Sequence, residues 1–296
     1  MLILNLANPE KSTIPFEVVD FSDSQKLVNL LGRYAQGVTN VEPSVMIVSR
    51  MSWNDLQLII CANQALLEVG FKEIHLFVPY FLGARSDRKF VDGGINYLKK
   101  VICPLINSQN FKSVQVLDPH SHCLEMGLNN LHIETNSGFV GRSLEYLKLD
   151  NKQVKEEEYV WLIPDKGAVD KAYNAIKHIK FTGNVVECTK KRDIKTGKIV
   201  ETNIPSEVIF ENDPCIIVDD ICDGGYTFIE LAKVAKKRGA GKMYLLVTHG
   251  IFSQGFEELS KYFDGIYCTN SFKKGIPPRV KRDDYDEMTI HPINVF

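Results

Sequence analysis

Seven short apolar runs, alternating with polar loops and segments of helical period, constrain this chain more than any other feature. They are SVMIVS (44–49), IHLFVPY (74–80), SVQVLD (113–118), YVWLIP (159–164), NVVECT (184–189), CIIVDD (215–220) and MYLLVTH (243–249). Alternation of strand and helix predicts an α/β fold, built on mostly parallel sheets flanked by helices. Between the first two runs, NDLQLIICANQALLEVG predicts a helix with Leu56, Ile59, Ile60 and Asn63 at helical spacing, closed by Gly70. INYLKKVICPLI predicts another, which Pro104 should kink or end. The charged stretch LDNKQVKEEEYV, around 149–160, shows no core-facing pattern. It marks the expected boundary between two similar domains, 1–150 and 151–296, each with its own sheet.

A formal charge of −2 with 44% hydrophobic and 24% charged residues gives no overall electrostatic pull toward nucleic acid or a membrane surface, so any anion must be held locally. No apolar run approaches the ~18 residues of a membrane span. The opening MLILNLANPEK lacks the features of a secretory signal, which makes a cytoplasmic location the expectation. Seven scattered cysteines without a CxxC pair argue against a disulfide framework or a zinc site.

The stretch IIVDDICDGGYT (216–227) carries the chemistry. An apolar strand runs into two adjacent carboxylates and then a glycine pair, and TFIELAKVAKKRGAG continues as a helix with Phe228, Leu231, Ala232 and Ala235 on one face. Thr227 and Glu230 have capping-box spacing, and Gly239 is placed to end the helix. Backbone N–H groups at a helix start favour an anion, and glycine lets the backbone approach it closely. Two carboxylates would repel a bare phosphate but suit a ligand with hydroxyls beside its phosphate. Asp219 and Asp220 are therefore candidates to accept hydrogen bonds from a ribose, with Asp223, Gly224, Gly225, Tyr226 and Thr227 around its 5-phosphate. The alternative is a tight strand-to-helix turn, with Asp219 capping and Asp220 solvated.

This loop resembles the ribose 5-phosphate loop of the phosphoribosyl diphosphate (PRPP) synthetases, and further segments follow in the same order. PYFLGARSDRK (79–89) is similar to the ATP-site segment of that family, LDPH (117–120) to a magnesium-associated histidine motif, IPDKGAVDKA (163–172) to the Pro-Asp-x-Gly that opens the second domain, TKKRDIKTGKI (189–199) to the catalytic loop with its Lys-x-Arg, and CTNS (268–271) to a late signature. The resemblance covers roughly 45 to 271 and implies a phosphoribosyltransferase-like fold. It also implies ATP contacts from Arg85, Ser86, Asp87 and Arg88, magnesium at His120 and Asp165, and catalytic cations at Lys190 and Arg192. Mg²⁺ is the implied cofactor, ATP and a ribose 5-phosphate acceptor the partners, and a dimeric or hexameric homo-oligomer the assembly. Positioning and neutralisation by Mg²⁺, Lys and Arg suit transfer of so charged a group. The polar stretch from Lys190 to about Pro205, with Gly197 as a hinge, suits a cationic lid.

The chain departs from the family at informative places. DFSDSQKL (20–27) keeps Phe-Ser-Asp but lacks the following Gly-Glu, which bears on the adenine contacts implied for Phe21 and Asp23. Ser86 stands for a glutamine, and FVDGGIN shortens the stretch after Lys89. Tyr226 occupies a glycine position and Gly224 a threonine position in the sugar-phosphate loop. A phosphate pocket rebuilt in this way fits either ribose 5-phosphate or a larger acceptor such as ADP-ribose, with Tyr226 offering a ring to pack on. The expected reaction is transfer of the β,γ-diphosphoryl group of ATP to the anomeric hydroxyl, with AMP released. A phosphoribosyltransferase and a catalytically silent partner of a synthetase are the competing readings.

Overall fold

The computed structural model describes residues 1–36, 44–192, 199–282 and 286–296. The chain divides into two compact units, Met1–Glu134 with Phe296, and Thr135–Val295. The division falls before the charged stretch at which the sequence placed it. The cause is one helix, Ser137–Asp150, whose Phe139, Val140, Leu144 and Leu147 pack with Tyr159, Trp161 and Ile163 of the second unit. A helix groups with whatever buries its apolar stripe, not with its position relative to a polar segment.

In the first unit, strands β1 (Leu2–Asn5), β4 (Val45–Val48), β5 (Ile74–Phe77), β6 (Ser113–Leu117) and β7 (Leu131–Glu134) form one parallel sheet in that order. β2 (Phe16–Asp20) and β3 (Lys26–Leu30) form a separate antiparallel hairpin. Helix α1 (Trp53–Glu68) starts at a capping box: the Ser52 hydroxyl accepts from the Asp55 amide while the Asp55 carboxylate accepts from the Ser52 amide. It buries Leu56, Ile59, Ala62 and Leu66 against the sheet and ends before Gly70 at φ 103°. Pro104 does not end its helix. A π-helical turn, Leu98–Ile102, runs into α2 (Cys103–Asn107), and Pro104 sits in the first turn of α2, where a missing N–H costs little.

The second unit opens with α3, the helix Ser137–Asp150, followed by β8 (Val160–Ile163), α4 (Val169–Ile179) and β9 (Asn184–Glu187). The hairpin β10 (Thr189–Arg192) and β11 (Ile199–Asn203) stands apart from the main sheet. Then come β12 (Cys215–Cys222), α5 (Tyr226–Lys237), β13 (Met243–Gly250), α6 (Glu257–Ser260), β14 (Gly265–Thr269), β15 (Arg279–Lys281) and β16 (Glu287–Ile293). The sheet order is β15-β16-β14-β13-β12-β8-β9, parallel except for the β15–β16 pair.

Every residue of β8, β13 and β14 is buried, which is what a parallel strand covered on both faces requires. Along β12 the side chains alternate: Cys215 and Ile217 join one core with Phe228, Leu231 and Ala235 of α5, while Ile216 and Val218 join the other with α3 and α4. That alternation continues into the two acids that follow.

Candidate active site

The acids lie inside β12 rather than beyond it. Ile221 pairs with His249 and Cys222 with Gly250, so β13 carries the strand past the end that the sequence suggested. Gly225 follows at φ 79° and forms the N-cap of α5 without any side-chain cap. A side chain there would be strained, and a Cβ would lie 2.9 Å from Leu259 Cδ2. The capping box expected from Thr227 and Glu230 does not form: Thr227 is already inside the helix, where a cap cannot act, and Glu230 pairs with Lys233 instead. The start of α5 therefore presents backbone N–H groups beside Asp223, Gly224 and Gly225, with Tyr226 two-thirds exposed on its first turn.

The loop after β8 supplies the facing groups. Asp165 accepts a hydrogen bond from the Gly167 amide at 2.7 Å and forms an ion pair with Lys190 of β10. Lys171 on α4 reaches Asp220, with Nζ 3.0 Å from Oδ2. Among the described residues, Asp219 accepts only the Asp220 amide, at 2.9 Å, and forms no ion pair. Burial first, then the Asp220 carboxylate, holds the Asp219 carboxyl well above its usual range; the Asp220 amide opposes this, Asp165 adds to it and Lys190 offsets part of it. Asp165, Asp219, Asp220, Lys171 and Lys190 thus form one charge cluster within the second unit. The Arg192 side chain lies outside the described residues, as does Gly197, the suggested hinge.

Behind the cluster, the CTNS segment makes a buried polar hub. His249 Nδ1 and Ser271 Oγ share a hydrogen bond at 2.8 Å, and Thr269 Oγ1 donates to Ser271 Oγ at 2.7 Å. This hub braces the ends of β13 and β14, next to the acidic strand.

In the first unit, Arg85 and Arg88 are exposed. Asp87 is buried and accepts from Arg88 Nε at 3.2 Å, and its carbonyl accepts from the Asn96 amide group. Ser86 bonds through its backbone to Gly83 and Leu98. Both residues therefore shape the loop that displays the arginines. His120 is half-buried just beyond β6, after Asp118 at φ 44°. Phe21 and Asp23 sit at the tip of the β2–β3 hairpin: Phe21 is exposed, and the Asp23 carboxylate accepts from the Gln25 amide at 3.1 Å. Asp165 is in the second unit and His120 in the first. Among the described residues no group of three or more His, Cys, Asp or Glu is clustered as a metal site. Magnesium at a nucleotide site takes one or two carboxylates and draws its other oxygens from phosphates and water, so a single carboxylate such as Asp165 would suit that ion without a larger cluster.

Comparison with known proteins agrees with this architecture. Residues 211–281, which contain the acid pair and its loop, match the phosphoribosyl synthetase-associated domain family. A ribose-phosphate pyrophosphokinase of Thermococcus kodakarensis is 28% identical over 284 residues, 94% of this chain and 91% of that protein. The chain is thus similar, at low identity, to ribose-phosphate pyrophosphokinases. The Mycoplasmopsis pulmonis protein of that name is 27% identical over 220 residues, 74% of this chain and 65% of its own length. A crystal structure of phosphoribosylpyrophosphate synthetase from Mycobacterium smegmatis superposes with a TM-score of 0.75 at 15% identity, covering all of this chain and 95% of that one. The fold is therefore a pair of mostly parallel α/β units of phosphoribosyltransferase-like architecture. No helix among the described residues is long and apolar enough to cross a membrane.

Lys171 is the site residue that sequence reasoning missed. Its signal was available in strand alternation: if Asp220 continues the face of Ile216 and Val218, the helix covering that face must supply its counter-charge.

Proposed function

We propose that this chain transfers the β,γ-diphosphoryl group of ATP to the anomeric hydroxyl of a ribose 5-phosphate moiety and releases AMP. The observation that carries this reading is the cluster in which Asp219 and Asp220, beside a glycine-capped helix start, lie within Coulombic reach of the Asp165–Lys190 pair. Carboxylates accept hydrogen bonds from sugar hydroxyls, while the start of α5 holds the 5-phosphate through Asp223 to Thr227. The anomeric oxygen forms a bond to the β-phosphorus as the bond from that phosphorus to the oxygen bridging the α-phosphate breaks. AMP leaves with that bond's electron pair, and the hydroxyl proton is lost.

Arg85, with Arg88, binds the triphosphate, and Ser86 and Asp87 shape the loop that holds them. Phe21 and Asp23 are the proposed adenine contacts. Lys190 and Arg192 offset charge on the transferring group; Lys190, which pairs with Asp165, would turn to phosphate oxygens. Asp165 and His120 are the residues proposed to hold Mg²⁺, directly or through water, and the ion supplies neutralisation of phosphate charge. The relatives' name, ribose-phosphate pyrophosphokinase, supports a ribose phosphate as acceptor and a pyrophosphoryl transfer. The protein is proposed to work in the cytoplasm as a dimeric or hexameric homo-oligomer.

One observation favours ADP-ribose as acceptor. Tyr226 is 67% exposed at the helix start, and its ring lies close enough that a Cβ on Gly224 would meet Tyr226 Cδ2 at 3.2 Å. An exposed aromatic ring beside a phosphate site gives a nucleoside on that phosphate a surface to stack on. Incubation with Mg-ATP and either ribose 5-phosphate or ADP-ribose, followed by nucleotide chromatography, tests both points. AMP formed only with acceptor present supports the reaction, and the preferred sugar identifies the acceptor. ADP in its place would indicate a simple kinase, and no turnover would favour the silent-partner reading.

A further inference from the structure

Two neighbouring carboxylates in a strand are not equivalent, because the pleat turns them to opposite faces of the sheet. In β12, Asp220 continues the face of Ile216 and Val218, which packs against the α3–α4 layer, and Asp219 continues the face of Cys215 and Ile217. On the first of those faces Lys171 waits on α4, a third exposed, with Nζ 3.0 Å from Asp220 Oδ2. Asp220 itself is 6% exposed. A carboxylate that buried needs a partner, because an uncompensated one is severely destabilising. Asp219 has no such partner: the Asp220 amide occupies Oδ1, and no lysine or arginine among the described residues pairs with it.

We infer that Lys171 is a positioning residue that fixes Asp220 within the strand, so that Asp219 is the carboxylate that receives the sugar hydroxyls. This inference deepens the proposed function and rests on it. The acid pair then divides its labour: one member is held by α4 and sets the backbone geometry, the other meets the ligand. The Asp220 amide, by donating to Asp219 Oδ1, transmits the geometry from the anchored residue to the reactive one. A short link of this kind, one ion pair and one backbone hydrogen bond, is how a supporting shell keeps a binding group in register.

The test uses the full chain with Mg-ATP and whichever acceptor the wild type turns over. K171M is expected to raise the acceptor KM by about tenfold or more, the scale of one charge-assisted hydrogen bond, and to leave the ATP KM within about twofold. K171R should recover most of that loss. D220N in the K171M background should recover part of it, because it removes a buried charge that has lost its Lys171 partner, whereas D219N should abolish acceptor binding in either background. Thermal unfolding of the same variants guards against simple misfolding: K171M should melt below wild type, and K171M/D220N should melt above K171M.

An acceptor KM unchanged in a folded K171M protein overturns the inference while leaving the proposed function standing. Equal losses in both substrate KM values, or no recovery in K171R, also overturn it. A wild-type protein that neither turns over nor binds either sugar phosphate in calorimetry removes the proposed function, and the inference with it.

Discussion

At the scale of single residues, the described residues of the site set three carboxylates, Asp165, Asp219 and Asp220, beside two ammonium groups, Lys171 and Lys190. Of the three only Asp219 forms no ion pair among them, with Lys190 offsetting its charge in part. A carboxyl held above its ordinary range stabilises the fold only while protonated. That contribution is complete below the unfolded-chain carboxylate range and is lost as pH rises through the raised folded value. D219N, neutral throughout, is therefore expected to melt a few degrees above wild type at mildly alkaline pH, with the gap closing on acidification, and to be inactive. Calorimetry across a pH series checks this, and a gap independent of pH would contradict it. Lys190 belongs to the same balance. K190A should lower turnover by about 10²–10³, the scale of losing one preorganised charge stabiliser, with acceptor binding less affected; steady-state kinetics decide. Asp219 and Asp220 stood out in the sequence because an apolar strand running into paired acids is a local pattern, whereas Asp165 and Lys190 were singled out through the resemblance of their segments. Lys171 was not, because its meaning depends on which face of β12 it covers.

At the scale of elements, the strand–glycine–helix unit from Cys215 to Lys237 determines what the loop can bind. The start of α5 depends on Gly225 adopting a left-handed conformation, not on the Thr227–Glu230 box that the spacing suggested. G225A is expected to cost ~1–2 kcal/mol, the left-handed penalty for a residue with a Cβ, read from urea unfolding. It should also weaken acceptor binding. S52A provides the contrast: it removes the α1 cap and costs ~0.5–2 kcal/mol but should leave acceptor KM unchanged. All seven strands read from apolar runs are present, because parallel strands buried on both faces are continuous hydrophobic segments. Among the strands not read from apolar runs, β14 is fully buried but only five residues long and opens on a glycine, while others have weaker patterns. β7, LHIE, is largely exposed, and the β2–β3 hairpin is mostly half-buried or exposed with a polar turn. Pro104 misled for a related reason: a proline in a first helical turn is compatible with the helix, but only the preceding π turn places it there.

At the scale of the whole molecule, each unit has a parallel sheet and its own core, and the chain aligns along nearly its full length with a ribose-phosphate pyrophosphokinase. The charged segment near 150 suggested two domains, but α3 chose its unit by burial of its apolar stripe. The proposed chemistry moves two phosphates at once, so the fate of the β-phosphate separates it from simple kinase chemistry. The most direct test is to supply ATP labelled at the β-phosphate together with Mg²⁺ and the acceptor sugar, and to follow the label. Label appearing on the sugar product in step with unlabelled AMP is the predicted result. Label remaining on nucleotide, as ADP, while the acceptor is phosphorylated would contradict it.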